Sequence, residues 1–549
     1  MPKSVEIWPV PLLLIAIPVL FLGLAANSIW DANEAFYVET PRQMVTSGDY
    51  LNPSFNGLPR FNKPVLSYWV VAGFYHLFGV SVFAERLAMA IGALGILIGA
   101  VLIGRALRSG ATGALAALLL VTAPRIVFFA RRIFIDVYLA LFMTLALALF
   151  VLAERYPEHR RRCLLLMYVA LGLGVLTKGP IAIAIPALAC LVWLVTEGRR
   201  RDISRLMLPT GTAIVLAIVL PWYAAIYAQH GWEYIRFFFI DENLGRYATS
   251  FTTERSPAFF VFALLGDVLL PWAPLIAIPL LTAWRRPASD DPSGPIRRLL
   301  WWWVVTTVVL FSMSASKEDL YILPAIPAAA VLVADLLVRT GYGAAHRGVR
   351  VVLALLACVA IGIGVLIAAY FTSGHYKISS AYLVTGILVA GGLVALVQLA
   401  RQRHASAFAG LAAGFVLFNY VFVLGALPDL ERLKPVPALV RVVAERASGS
   451  AAVASFNIDL PSFVFYSGRV VTRMDDDDQA ARFFADHPDA WMLVSETEWR
   501  SLQDRVSPLC VAARHSQFLA KGSDIMRGQP PADVLLLTNR CGGAPVSAR

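Results

Sequence analysis

The chain has 549 residues, of which 58% are hydrophobic and only 15% charged, and its mean hydropathy is +0.68. So few charges cannot cover the surface of a soluble globular protein, which excludes that class. The net charge of +11 does not mark a nucleic-acid binder, because the arginines gather in short turns between apolar runs, and no nucleic-acid partner is expected.

The first apolar run, roughly Ile7 to Trp30, comes after Lys3. It is long for the core of a signal peptide and no clean small-x-small site precedes Asp31, so it reads as a retained helix. Further runs begin near residues 82, 111, 133, 163, 180, 206, 257, 299, 320, 350, 380 and 406. Each is long enough to span a ~30 Å hydrocarbon core. The expected architecture is mostly α: a polytopic membrane protein with about thirteen transmembrane helices.

Charge sets the orientation. With the N-terminus inside, the even-numbered turns are cytoplasmic, and each is rich in arginine. They carry Arg105 and Arg108; Arg155 and Arg160 to Arg162; Arg199 to Arg201 and Arg205; Arg285, Arg286, Arg297 and Arg298; Arg339, Arg347 and Arg350; and Arg401 and Arg403. This is the positive-inside bias of a bacterial inner-membrane protein, and an error of one helix would break it. The outward segments are then 31–80, 129–133, 177–180, 229–256, 312–320, 372–379 and everything after about 428. They hold nearly all the unusual polar residues near the membrane.

The expected division is a membrane body over 1–427 and a soluble periplasmic domain over 428–549. In the latter, Ala451–Phe456, Ser462–Tyr466 and Ala490–Val494 read as strands and Asp478–Phe484 as helix, giving a small α/β domain. The acidic run Asp475–Asp478 fits a solvated loop or helix N-terminus better than a calcium loop. Cys163, Cys190 and Cys358 read as small core residues, whereas Cys510 and Cys541 either form a disulfide in an oxidising compartment or stay apart.

The first outward loop, 31–80, is the most informative stretch. Glu34, Tyr37 and Pro41 fall at near-helical spacing, which predicts a short surface helix closed by Gly48, with Asp49 capping the residues just beyond it. Lys63-Pro64 opens a second amphipathic stretch, with Tyr68 and Trp69 suited to the interfacial aromatic belt.

Here the chain resembles the GT-C membrane glycosyltransferases related to protein O-mannosyltransferases and to the aminoarabinose transferases of lipid A. The matching elements in the loop are Asn33-Glu34, Tyr37-Val38-Glu39, Arg42-Gln43-Met44, Ser47-Gly48-Asp49-Tyr50, Pro53, Asn56-Gly57 and Phe61-Asn62-Lys63-Pro64 through Tyr68-Trp69. Arg131-Arg132 with Asp136, Thr177-Lys178-Gly179-Pro180, Pro221-Trp222-Tyr223, Asn243 to Arg246, Pro271-Trp272, and Ser316-Lys317 through Tyr321 to Pro324 come after it in order. The resemblance covers about residues 10–340, and it implies transfer of a sugar from a polyprenyl-phosphate carrier to an outward-facing acceptor, lipid A-like or another envelope glycan, with inversion at the sugar carbon.

That chemistry has its own requirements. A departing phosphate needs fixed cations, and a carboxylate can take the acceptor's proton or balance charge on the sugar. Lys63, Arg246, Lys178 and Lys317 come from four outward segments and are expected to converge on the carrier phosphate, with Tyr37, Arg42, Tyr68 and Tyr321 beside them. Glu34 and Asp136 are the candidate carboxylates. Asn33 stands where the family pattern has an acid and cannot serve as a base, and Asn62 likewise replaces an acid before Lys-Pro. Either Glu34 or Asp31 acts instead, or the acceptor is an already ionised phosphate. These losses also weaken any metal site, and neither a metal nor another cofactor is expected. The competing classes are a transporter or flippase, which would show repeated halves and charges near the midplane, and an O-antigen ligase or polymerase, which would have its long outward loop between later helices.

Overall fold

The computed structural model describes residues 9–31, 33–132, 135–248, 255–266, 269–282, 291–373, 378–503, 505–506, 509–517, 532–541 and 546–547. Arg285 and Arg286 lie outside this set, as do the side chains of Asn33 and Arg246.

Among the described residues, a helical segment starts within a few residues of each of the thirteen expected positions, from Pro9 to His404. Seven helices among the described residues are long and apolar enough to cross a membrane: Val82–Leu107, Ile135–Arg155, Leu208–His230, Asp319–Arg339, Arg347–Phe371, Ala381–Ala400 and His404–Glu431. Three shorter apolar helices are Pro9–Leu20, Ile181–Thr196 and Ala273–Thr282. Gly110–Thr122 and Pro124–Ala130 form a further pair bent by 78°. The bend has a local cause: Pro124 lacks an N–H and pushes Ala123 into an extended conformation (φ −78°, ψ 113°). Helices 82–107 and 110–122 approach closely because both present glycine. A Cβ on Gly113 would lie 2.4 Å from the Val101 carbonyl oxygen.

The arginine-rich turns meet at one end of the bundle on shared acids. Asp335, fully buried, accepts from Nε of Arg108 at 2.6 Å, of Arg297 at 2.8 Å and of Arg339 at 2.8 Å. Glu154 takes Arg160 at 2.7 Å and Arg199 at 2.6 Å, and Glu197 takes Arg298 at 2.7 Å. Five of the six turns are thereby drawn into one layer. Asp335→Ala takes the shared carboxylate from three guanidinium groups, of which Arg297 keeps Asp291 at 3.0 Å, and a loss of about 3 kcal/mol is expected, read as a lowered melting temperature in detergent. Asp335→Asn should lose less, because its oxygen still accepts.

Two short strands, β1 (Ser54–Phe55) and β2 (Leu58–Pro59), form a hairpin in the first loop. The tail contributes β3 (Ala452–Phe456), β4 (Val471–Met474), β5 (Ala490–Ser495), β6 (Cys510–Gln517), β7 (Ala532–Thr538) and β8 (Val546–Ser547), in one sheet of order β4-β3-β5-β7-β6-β8. β3 pairs in parallel with β4 and β5, while β7 runs antiparallel to β5 and β6. Helices cover both faces: Pro435–Arg446 packs on the side of Val453, Trp491 and Leu536, and Asp477–Asp486 on the side of Ala454, Met492 and Leu535. This is the arrangement expected of a sheet buried on both sides.

Ser462–Tyr466 is not a strand but the start of the helix Ser462–Ser467. A run of five residues this apolar does not distinguish the two forms, and Pro461 before it with left-handed Gly468 after it (φ 63°) supplies helix boundaries. The acidic run opens a helix, where Asp476 accepts from the Asp478 N–H. Cys510 and Cys541 are joined as a disulfide.

Candidate functional site

The first loop forms the helix expected before Gly48. Its helix spans Asn33–Ser47 and ends at Gly48 (φ 74°), after which Asp49 Oδ1 accepts from the N–H groups of Leu51 and Asn52 at 3.0 and 3.1 Å. Leu66–Phe78 forms the second helix. Tyr68, however, does not face an interface: it is fully buried and stacks on Tyr37 with ring centroids 5.7 Å apart. Its side chain points inward because the loop packs on the bundle instead of lying apart from it. Trp69 donates to the Tyr50 carbonyl at 2.7 Å.

Two of the lysines are matched with acids. Lys63 Nζ donates to Glu242 Oε2 at 2.9 Å, and the neighbouring Asn62 Nδ2 donates to Glu242 Oε1 at 2.9 Å. Lys178 pairs with Asp136, and its ammonium also sits 4.6 Å from the centre of the Tyr321 ring. Tyr37 is near enough to both pairs for Asp136 and Glu242 to act electrostatically on its hydroxyl, along with Tyr68 and Arg60. Burial first, then Tyr68, Asp136 and Glu242, hold the Tyr37 hydroxyl well above its ordinary pKa against the opposing pull of Arg60, so it stays a neutral donor. Lys317 is buried and donates to the Ser314 carbonyl.

Backbone geometry ties the remaining segments to this cluster. Glu242 belongs to a π-helical stretch, Phe237–Gly245, which continues into the helical turn Arg246–Ala248. π segments widen a helix and recur at functional sites. The Lys178-Gly179-Pro180 turn packs on it: Gly179 has φ 90°, and a Cβ there would lie 2.8 Å from the Phe238 ring. The Ala315 N–H donates to the Tyr247 carbonyl at 2.9 Å, joining the Ser316-Lys317 loop to the residue after Arg246. Lys63, Asp136, Lys178, Tyr37, Tyr68 and Tyr321 thus come together, with the backbone of Arg246 four residues beyond Glu242.

Glu34 and Arg42 are placed differently. Glu34 is buried, accepting from Arg86 Nε at 2.9 Å and from the Trp30 N–H at 2.6 Å. Arg86 also donates to the carbonyls of Leu24, Asn27 and Ser28. Arg42 forks onto Glu39 through two bonds of 2.6 Å. Both groups are committed to the loop's own architecture. Sequence reasoning passed over Arg60 and Glu242, which both border the Tyr37–Tyr68 stack. The available signal for Glu242 was an acid four residues before Arg246, beside a matched element.

The tail closes on the same loop. Asp31 accepts from the N–H and hydroxyl of Ser462 at 2.6 Å each, the Ile29 N–H donates to Tyr466 Oη at 2.8 Å, and Asn56 exchanges two 2.8 Å bonds with the Val471 backbone. Burial raises the Asp31 pKa from 3.8 to about 6, against the opposing bonds from Ser462. Because the folded value is the higher one, this site favours the fold below about pH 4, and the contribution is lost as pH rises through about 6. Asp31→Asn should therefore remove part of the fall in melting temperature between pH 5 and pH 7.

Residues 10–235 match the family model of dolichyl-phosphate-mannose-protein mannosyltransferases. The undecaprenyl phosphate-alpha-4-amino-4-deoxy-L-arabinose arabinosyl transferase of Pseudomonas aeruginosa is 32% identical over 397 residues, covering 70% of this chain and 70% of that protein. The enzyme of the same name from Edwardsiella ictaluri is 32% identical over 322 residues, covering 58% of this chain and 57% of that protein. The crystal structure of ArnT from Cupriavidus metallidurans bound to undecaprenyl phosphate superposes with a TM-score of 0.80 at 23% identity, covering 98% of this chain and 99% of that one. At that identity the likeness speaks for the fold.

Proposed function

Because the chain belongs to the family of the undecaprenyl-phosphate aminoarabinose arabinosyl transferases, we propose that it transfers a sugar from a polyprenyl-phosphate carrier to an acceptor on the periplasmic face of the bacterial inner membrane, lipid A or another envelope glycan. The observation that carries this reading is the pairing of Lys63 with Glu242 and Lys178 with Asp136 around the buried Tyr37–Tyr68 stack. Cations held in a partly dry pocket stabilise a departing phosphate far more than they would in water.

In this reading Lys63, Lys178, Lys317 and Arg246 gather the carrier phosphate. Asp136, close to Lys178, balances positive charge as the sugar–phosphate bond breaks. Tyr37, Tyr68 and Tyr321 form the wall. Glu34 and Arg42 hold the loop, and an asparagine at position 33 supplies no base, which suits an acceptor that is itself an ionised phosphate. The sugar is left open, since Asn33 and Asn62 replace acids of the family pattern.

The body, 1–427, crosses the membrane thirteen times with the N-terminus inside, and the domain over 428–549 lies in the periplasm. Two features support that orientation: the arginine turns share acids at one end of the bundle, and the Cys510–Cys541 disulfide suits an oxidising compartment. Mass spectrometry of lipid A and envelope glycans from cells with and without the protein tests the proposal. A missing pentose, amino-pentose or hexose mass is expected; unchanged glycans with altered uptake of a small solute would replace the transferase by a transporter.

A further inference from the structure

Asp136 has a part in the reaction proposed above, whereas Glu242 has none, although it lies against the lysine best placed for the phosphate. Its two oxygens take Lys63 and Asn62 at 2.9 Å each, and the Lys63 and Glu242 side chains are only 16% and 10% exposed. Any phosphate held by Lys63 therefore meets a carboxylate across the width of one ammonium group. That repulsion grows in proportion to the charge on the phosphate and is weakly screened in a site so enclosed.

The charge changes during the reaction. A carrier loaded with sugar ends in a phosphodiester with one negative charge. After transfer it ends in a phosphate monoester, which carries about −1.5 to −2 at neutral pH with a second ionisation near pH 6. Lysines alone would hold the spent carrier more tightly than the loaded one, and turnover would stall on product.

Resting on the transferase reading, we propose that Glu242 makes the phosphate pocket discriminate by charge, holding the singly charged phosphodiester of the loaded carrier and loosening its grip on the doubly charged monoester of the spent one. Asn62 keeps the carboxylate in place from the other side, and the π-helical turn presents it toward Lys63. Glu242→Gln removes the charge while leaving an oxygen to accept from Lys63.

The test measures binding of two probes, undecaprenyl phosphate and its methyl ester, to the full chain in detergent micelles. The ester reproduces the single charge of a loaded carrier without a sugar. At pH 7.5, Glu242→Gln is expected to shift the affinity ratio about tenfold toward undecaprenyl phosphate, while Glu242→Asp keeps the wild-type ratio. At pH 5, where both probes carry about one charge, the ratios of wild type and Glu242→Gln should converge. Asn62→Asp, which adds a second carboxylate, is expected to move the ratio the opposite way and stands as the test should Glu242→Gln fail to fold. An unchanged ratio in proteins that bind both probes overturns this inference alone; a wild-type protein that binds neither overturns the transferase reading with it.

Discussion

Lys63→Ala is expected to lower sugar transfer at least a hundredfold while leaving the protein folded. The lysine pairs with Glu242 in a partly buried pocket, and the phosphate it would contact gains charge as the sugar departs. Removing one preorganised donor from such a position typically costs about 10²–10³ in rate. Glu242 keeps the Asn62 amide as a donor at 2.9 Å, so the stability loss should be smaller than for an acid left with no partner. Transfer assayed in proteoliposomes, alongside melting temperature, separates the two effects. Full activity in a normally folded Lys63→Ala protein would remove the phosphate site from this pocket.

The second large effect is structural. Arg86→Ala should cost about 4 kcal/mol, within the range for breaking a buried ion pair from one side. Arg86 is 3% exposed and Glu34 1%, so the carboxylate would lose its counter-charge in a site closed to water. Three carbonyls, of Leu24, Asn27 and Ser28, would lose their donor at the same time. The expected readout is a poor yield of monodisperse protein and a sharply lowered melting temperature, with activity falling in step. Glu34→Gln, which still accepts from Arg86, should be milder. A Glu34→Gln protein that is stable but wholly inactive would instead return Glu34 to the chemistry.

Much of this architecture is legible from residue order. Apolar run lengths and arginine turns place the helical segments, because both obey a one-dimensional rule imposed by the bilayer. Gly48 and Asp49 act locally, so their roles as helix end and cap can be read directly. Lys178 meets Asp136 and Tyr321, which come from three separate motifs in the ordered set. Partnership across long separations is not legible in this way. Nothing in the chain announces that Glu242 belongs to Lys63, 179 residues away, or that Arg86 belongs to Glu34. Tyr68 reads as interfacial because tyrosine suits both an interface and a buried stack, and only the packing of Tyr37 decides between them. Ser462–Tyr466 misleads for a related reason, since a short apolar run takes its form from its surroundings.

Residues 24–31 have neighbours on every side: Arg86 from the bundle, Glu34 from the loop helix, and Lys434, Ser462 and Tyr466 from the tail. By chain position this strip is the hinge between the first helix and the first loop, yet its hydrogen bonds are shared out among three parts of the molecule. Cutting away the tail would therefore unfasten the first loop as well, and a tail borrowed from a relative would have to bring its own version of the strip. The two halves of the protein are expected to have evolved as a matched set, exchanged together or not at all.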